Sequence, residues 1–120
     1  RRGRETRAGD AGRRRRMQTL DIVARLVPAV ANGSKRSTIR WGEGPIRPGP
    51  LRLVCADPPS ATIVEVWRVT SMPLREAAAF LGREADWPDA VMLAGMRDHY
   101  PAITLDCDVQ VVEFHPPSSA

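Results

Sequence analysis

An α+β fold built on a small mixed β-barrel with two to three flanking helices is predicted by three observations. Strand and helix patterns follow one another with neither an internal repeat nor regular βαβ alternation, which argues against a doubly wound parallel sheet. The segment Thr62–Thr70 is apolar on both parities, with Ile63, Trp67 and Val69 against Val64 and Val66, as expected of a barrel strand covered on both faces. A chain of 120 residues with 42% hydrophobic content can bury one compact core.

In chain order, Thr19–Val23 reads as a strand. Arg25–Asn32 follows as a short helix with Leu26, Val27 and Val30 inward, and Pro28 falls in its first turn, where a missing amide costs nothing. Gly33 closes that helix. Extended structure is expected from about Ser37 to Trp41, then the Gly42–Pro50 loop, whose three glycines and three prolines bar regular structure. Leu51–Cys55 is a strand, Ala56–Ser60 a turn, and Thr62–Thr70 the long strand. Ser71 and Pro73 open a helix with the stripe Leu74, Ala77, Ala78 and Leu81, which Gly82 ends. Asp86 reads as the cap of a second helix, with Pro88 in its first turn and Met92, Leu93 and Met96 as core candidates. Gln110–Phe114 is the closing strand.

Composition excludes several classes. No apolar run approaches the roughly 20 residues of a membrane helix, and no charged-then-apolar leader is present, so a soluble cytoplasmic protein with no membrane partner is expected. Cys55 and Cys107 lack CxxC spacing and read as unpaired; with His99 and His115 they form no ligand-spaced metal set, and no cofactor motif is evident. The net charge of +4 is unevenly held: residues 1–16 carry eight arginines against Glu5 and Asp10, or +6, leaving ten basic and twelve acidic residues, or −2, in the remainder. The first sixteen residues are expected to be disordered, as are residues 117–120. That basic stretch is either a nucleic-acid-binding arm or translated sequence upstream of a natural start at Met17, and the second fits better.

The chemistry-bearing segment is Gly33-Ser34-Lys35-Arg36-Ser37-Thr38-Ile39-Arg40-Trp41, which sets three cations and three hydroxyls between a helix end and a strand. Amides and hydroxyls beyond a helix-ending glycine can surround phosphate or carbonyl oxygens. With the strand beginning near Ser37, Thr38 and Arg40 share a face, and a turn at Ser34–Ser37 lets Lys35 curl over it. Arg40 suits bidentate capture of a phosphate or planar carbonyl group, and Lys35 supplies a mobile charge. Trp41 either stacks on a ligand or packs the barrel edge. Glu65, among apolar residues of the long strand, reads as a buried carboxylate that would pair with Arg40.

The pattern Gly-x-Lys-x-x-Thr-x-Arg resembles the signature of the ASCH family, small domains similar to the RNA-binding PUA domains. Arg47-Pro48-Gly49-Pro50-Leu51-Arg52-Leu53 resembles the family's Pro-Gly-Asp-x-Leu turn, with Pro50 where Asp is usual, and the likeness runs from about Met17 to Pro116. It implies a PUA-like barrel over residues 17–116 that binds RNA or a modified nucleoside; the residues offered for that ligand are Gly33, Ser34, Lys35, Arg36, Ser37, Thr38, Arg40 and Trp41, with the acidic partner drawn from Glu65, Glu84 or Asp86. One branch of the family is a 4-acetylcytidine amidohydrolase. By that likeness Lys35 would activate Thr38, and a glutamate, Glu84 in preference to Glu76 or Asp86, would serve the leaving group. A protein-interaction module is the third class. Oligomeric state is open.

Because residues 1–16 hold no large apolar side chain, deleting them is expected to shift the thermal midpoint by no more than about 2 °C. A larger fall in a calorimetric melt would show that this segment packs on the core.

Overall fold

The computed structural model describes residues 17–117; the expected disorder of the first sixteen residues and of residues 118–120 lies outside the described part. The strands are β1 (Gln18–Asp21), β2 (Ser37–Arg40), β3 (Gly49–Ala56), β4 (Pro59–Pro73) and β5 (Asp108–His115). The helices are α1 (Val27–Ala31), entered through a 3-10 turn at Ala24–Leu26, α2 (Leu74–Phe80) and α3 (Asp89–Arg97). The five strands form one mixed sheet in the order β1-β3-β4-β5-β2, with β1 parallel to β3 and β2 antiparallel to β5. The class is therefore α+β as expected, but the sheet is not closed into a barrel.

The described chain gathers into two compact units. One takes in the residues up to Arg36, Pro48–Trp67 and those from Phe114 onward. Its sheet pairs β1 with β3 and β3 with the first part of β4 around the turn at Asp57-Pro58, whose peptide bond is cis. Period-two alternation sends Leu51, Leu53 and Cys55 of β3 and Val64 and Val66 of β4 inward, and the register sets Leu51 opposite Val64. Leu20, Val30 and Phe114 are buried in the same unit.

The odd positions of β4 correct the expectation that both of its faces are covered. Ile63 is 54% exposed and Trp67 45% exposed, with Glu65 exposed between them. Trp67 stacks on His115 at a centroid distance of 6.0 Å, so aromatic surface on this face is shielded by another ring rather than by a second layer of sheet. Apolar residues on both parities of a strand do not by themselves mean two covered faces.

The second unit comprises Ser37–Arg47 and Arg68–Glu113. Its core is Met72, Leu74, Ala77, Ala78, Met92, Ile103, Val109 and Val111, with Ile39, Trp41, Leu93, Met96 and Tyr100 packed against it. The predicted stripe of α2 is buried as expected, apart from Leu81, which is half-buried. Its capping differs. The Leu74 and Arg75 amides donate to the carbonyls of Cys107 and Leu105, at 2.9 and 3.0 Å, so neighbouring backbone does what Ser71 was expected to do. Asp86 likewise caps nothing: α3 follows Pro88, and the Asp86 carboxylate accepts Arg83 Nε at 2.9 Å. Both cysteines are free, Cys55 buried and Cys107 half-buried.

Phe114→Ala is expected to cost about 3–5 kcal/mol, because the ring is wholly buried. Ile63→Thr, on the open face of β4, is expected to cost no more than about 0.5 kcal/mol. Urea denaturation of both variants checks the pair, and equal losses would show that this face is covered.

Candidate functional site

The nine-residue motif divides between the two units at Arg36 and Ser37. Its first half is a helix-closing turn in which several backbone and side-chain groups bond to one another. Gly33 has φ +83°, a conformation costly for any residue with a Cβ, and its amide returns to Val30 O. The Ser34 amide donates to Asn32 Oδ1 at 2.9 Å, Ser34 Oγ to Ala29 O at 3.3 Å and the Lys35 amide to Ala29 O at 3.0 Å. Arg36 Nε folds back onto Gly33 O at 2.9 Å, while the Arg36 carbonyl accepts the Phe114 amide. These bonds correct the expectation that the turn presents a nest of amides and hydroxyls to an anion.

The second half forms β2, whose residues 37–40 pair with 113–110 of β5. Ser37, at the start of the strand, is half-buried. Thr38 and Arg40 share a face as expected, and Arg40 Nε donates to Thr38 Oγ1 at 2.9 Å. Thr38 is 8% exposed, so its hydroxyl accepts this bond in a buried position. The Arg40 side chain is 14% exposed and also reaches Glu43 Oε2 at 3.3 Å. Tyr100, from the segment after α3, donates its hydroxyl to the same Glu43 oxygen. The Trp41 and Tyr100 rings meet edge to face at 6.0 Å, and the His99 ring lies 6.4 Å from that of Tyr100. One unit thus brings together a hydroxyl, a guanidinium, a carboxylate, a phenol and an indole.

The carboxylate found on Arg40 is Glu43, in the loop that follows β2. Glu65 is exposed on β4 of the first unit, which corrects its reading as a buried partner. Glu84 is exposed in the turn after α2, Glu76 is exposed in the first turn of α2, and Asp86 is held by Arg83. Lys35 and Thr38, the pair implied by the amidohydrolase likeness, belong to different units. Sequence reasoning missed Glu43, Tyr100 and Gln110. The first left a faint signal in Arg40-x-x-Glu43; the others, 57 and 66 positions from their partners Glu43 and Gly44, left none.

The cluster holds Tyr100 neutral. Burial raises its phenol pKa above the usual value of 10.0, and the Glu43 hydrogen bond and charge raise it further, while the Trp41 backbone amide and the Arg40 charge pull it down. Among the described residues no group of three or more His, Cys, Asp or Glu side chains could hold a metal ion, and no helix is long and apolar enough to cross a membrane. No family model matches the chain, and neither a curated protein nor a solved structure matches it.

Tyr100 is the chain's one tyrosine, so tyrosinate absorbance reads it alone. Its midpoint is expected above 10.0, and Glu43→Gln is expected to lower it without restoring the ordinary value, because burial is the larger cause. The raised folded pKa contributes stability that is complete below the unfolded value of about 10 and is lost as pH climbs through the folded one. A wild-type midpoint at or below the ordinary value would contradict this geometry.

Proposed function

We propose that this chain binds RNA or a nucleoside-like ligand, reading a planar base edge with Arg40 and Glu43 and packing the ring against the Trp41–Tyr100 pair. The carrying observation is the mutual fixing of Arg40 and Glu43: the guanidinium is held by Thr38 Oγ1 and Glu43 Oε2, while neither the Arg40 nor the Tyr100 bond ends on Glu43 Oε1. A donor and an acceptor held side by side match the adjacent acceptor and donor on a base edge. A phosphate fits less well, because it would meet the Glu43 carboxylate.

Charge supports the same choice. Residues 17–120 carry −2, so the body that holds the site has no excess of cations to attract a polyphosphate backbone. Affinity would come from hydrogen-bond matching and stacking, the means by which unpaired bases are recognised. The resemblance to the ASCH family belongs to this proposal; what stands beside it is the α+β class, with a five-stranded mixed sheet that is not closed. Binding is favoured over amidohydrolysis because Thr38 is 8% exposed, which restricts the approach of a substrate to its hydroxyl.

The test is titration of the purified protein with the four ribonucleosides and short single-stranded RNAs, read by tryptophan fluorescence. Arg40→Met is expected to weaken binding at least about ten-fold, as loss of hydrogen bonds to a charged group does. Thr38→Val should cost only roughly 0.5–1.5 kcal/mol, because it removes one neutral partner that orients Arg40. Unchanged affinity in Arg40→Met, or no wild-type binding to any of these ligands, would overturn the proposal. Release of free nucleoside from an acylated one, lost in Thr38→Val, would replace it with amidohydrolysis.

A further inference from the structure

We propose that Gln110 is the positioning residue of this site, holding the Gly44–Ile46 backbone through its side-chain amide so that Glu43 stays against Arg40 and Tyr100. The inference deepens the base-binding reading and rests on it for its functional consequence. Gln110 is the β5 residue directly opposite Arg40, the last residue of β2. Beyond Arg40 the chain leaves the sheet. There the Gln110 side chain takes over the role of a strand partner: Nε2 donates to Gly44 O at 2.6 Å, and Oε1 accepts the Ile46 amide at 2.8 Å.

The two contacts fix the orientation of the amide, because a carbonyl requires the NH2 group and a backbone N–H requires the oxygen. They also fall where the loop is least able to hold itself. Glu43 lies between Gly42 and Gly44, with φ of +71° and +75°, so the flanking backbone has the widest conformational freedom in the chain's repertoire. On the far side Ile46 is buried, which makes the clamped segment a fixed post from which Glu43 is hung. Arg40 and Tyr100 approach Glu43 through long side chains, whereas Gln110 holds the backbone beside it. Gln110 therefore acts on the ligand through Glu43 and does not itself need to touch it.

Gln110→Met keeps length and bulk while removing both hydrogen bonds, and Gln110→Asn keeps the amide but shortens its reach. Each is made in wild-type and Glu43→Gln backgrounds, with folding checked by circular dichroism, and ligand-free tyrosinate titration reads the placement. In the wild-type background the Tyr100 midpoint is expected to fall in the direction of Glu43→Gln, and in the Glu43→Gln background to fall no further, since the effect passes through the Glu43 charge. Ribonucleoside affinity is expected to fall about ten-fold in the same variants, comparable to losing one charge-assisted contact. A wild-type Tyr100 midpoint in a folded Gln110 variant, or an equal fall in both backgrounds, would overturn the placement. If the midpoints behave as expected but wild-type protein binds no nucleoside, the positioning stands and the base-binding reading fails.

Discussion

A guanidinium that is 14% exposed must find oxygen partners, and much of the local structure of the second unit answers that requirement. Arg40 sits at the last residue of β2, where its neighbour on the same face is Thr38 and its neighbour three residues on is Glu43. One partner is set by the pleat and the other by the turn that follows. Each constrains the other: without Glu43 the guanidinium would lose its carboxylate partner, and without Arg40 the carboxylate would keep the Tyr100 hydroxyl as donor but lose the cation beside it. The cluster is consequently a unit, and substitutions within it will not add as independent terms.

Its charges nearly cancel, and that shapes what it can recognise. A lone arginine in a cleft would draw phosphate, carboxylate or carbonyl alike. Beside Glu43 it gains a directional partner, so on the proposed binding reading discrimination would shift from charge to the pattern of donors and acceptors. Tyr100 reinforces this by staying protonated, which keeps it a donor to Glu43, and by presenting its ring edge-on to Trp41. The aromatic pair is anchored to the core of the unit, which limits the side-chain entropy a stacked ligand would have to overcome.

Local patterns made the elements legible. The stripe of α2, the alternation of β3, the glycine that ends α1 and the shared face of Thr38 and Arg40 all follow from periods of 3.6 and 2 acting over a few residues. What the sequence obscured was partnership. Ile63, Glu65 and Trp67 look interior by composition, yet nothing local distinguishes a covered face of β4 from one that leaves Ile63 and Trp67 about half exposed. Glu65 among valines looked like the natural counterion, whereas Glu43 between two glycines looked like loop. Tyr100 is separated from Glu43 by 57 positions, and a contact of that span leaves no trace in periodicity or spacing. The Ser34 and Lys35 amides failed the anion reading for the opposite reason: their partners, Asn32 and Ala29, lie so close in sequence that the helix end itself consumes them.

The geometry of Thr38 bears on the choice between binding and chemistry more directly than any resemblance. To attack an acyl group its oxygen would need a lone pair aimed at the carbon and a base positioned to receive its proton. Arg40 Nε donates to that oxygen and occupies one of its two lone pairs. Burial to 8% exposure further restricts approach to the hydroxyl. On the proposed binding reading, the same two features would let Thr38 fix the plane of the guanidinium before a ligand arrives. Orientation settled in advance lowers the entropy lost on binding, so on that reading the residue that looks most like a nucleophile in the sequence would serve to hold an arginine still.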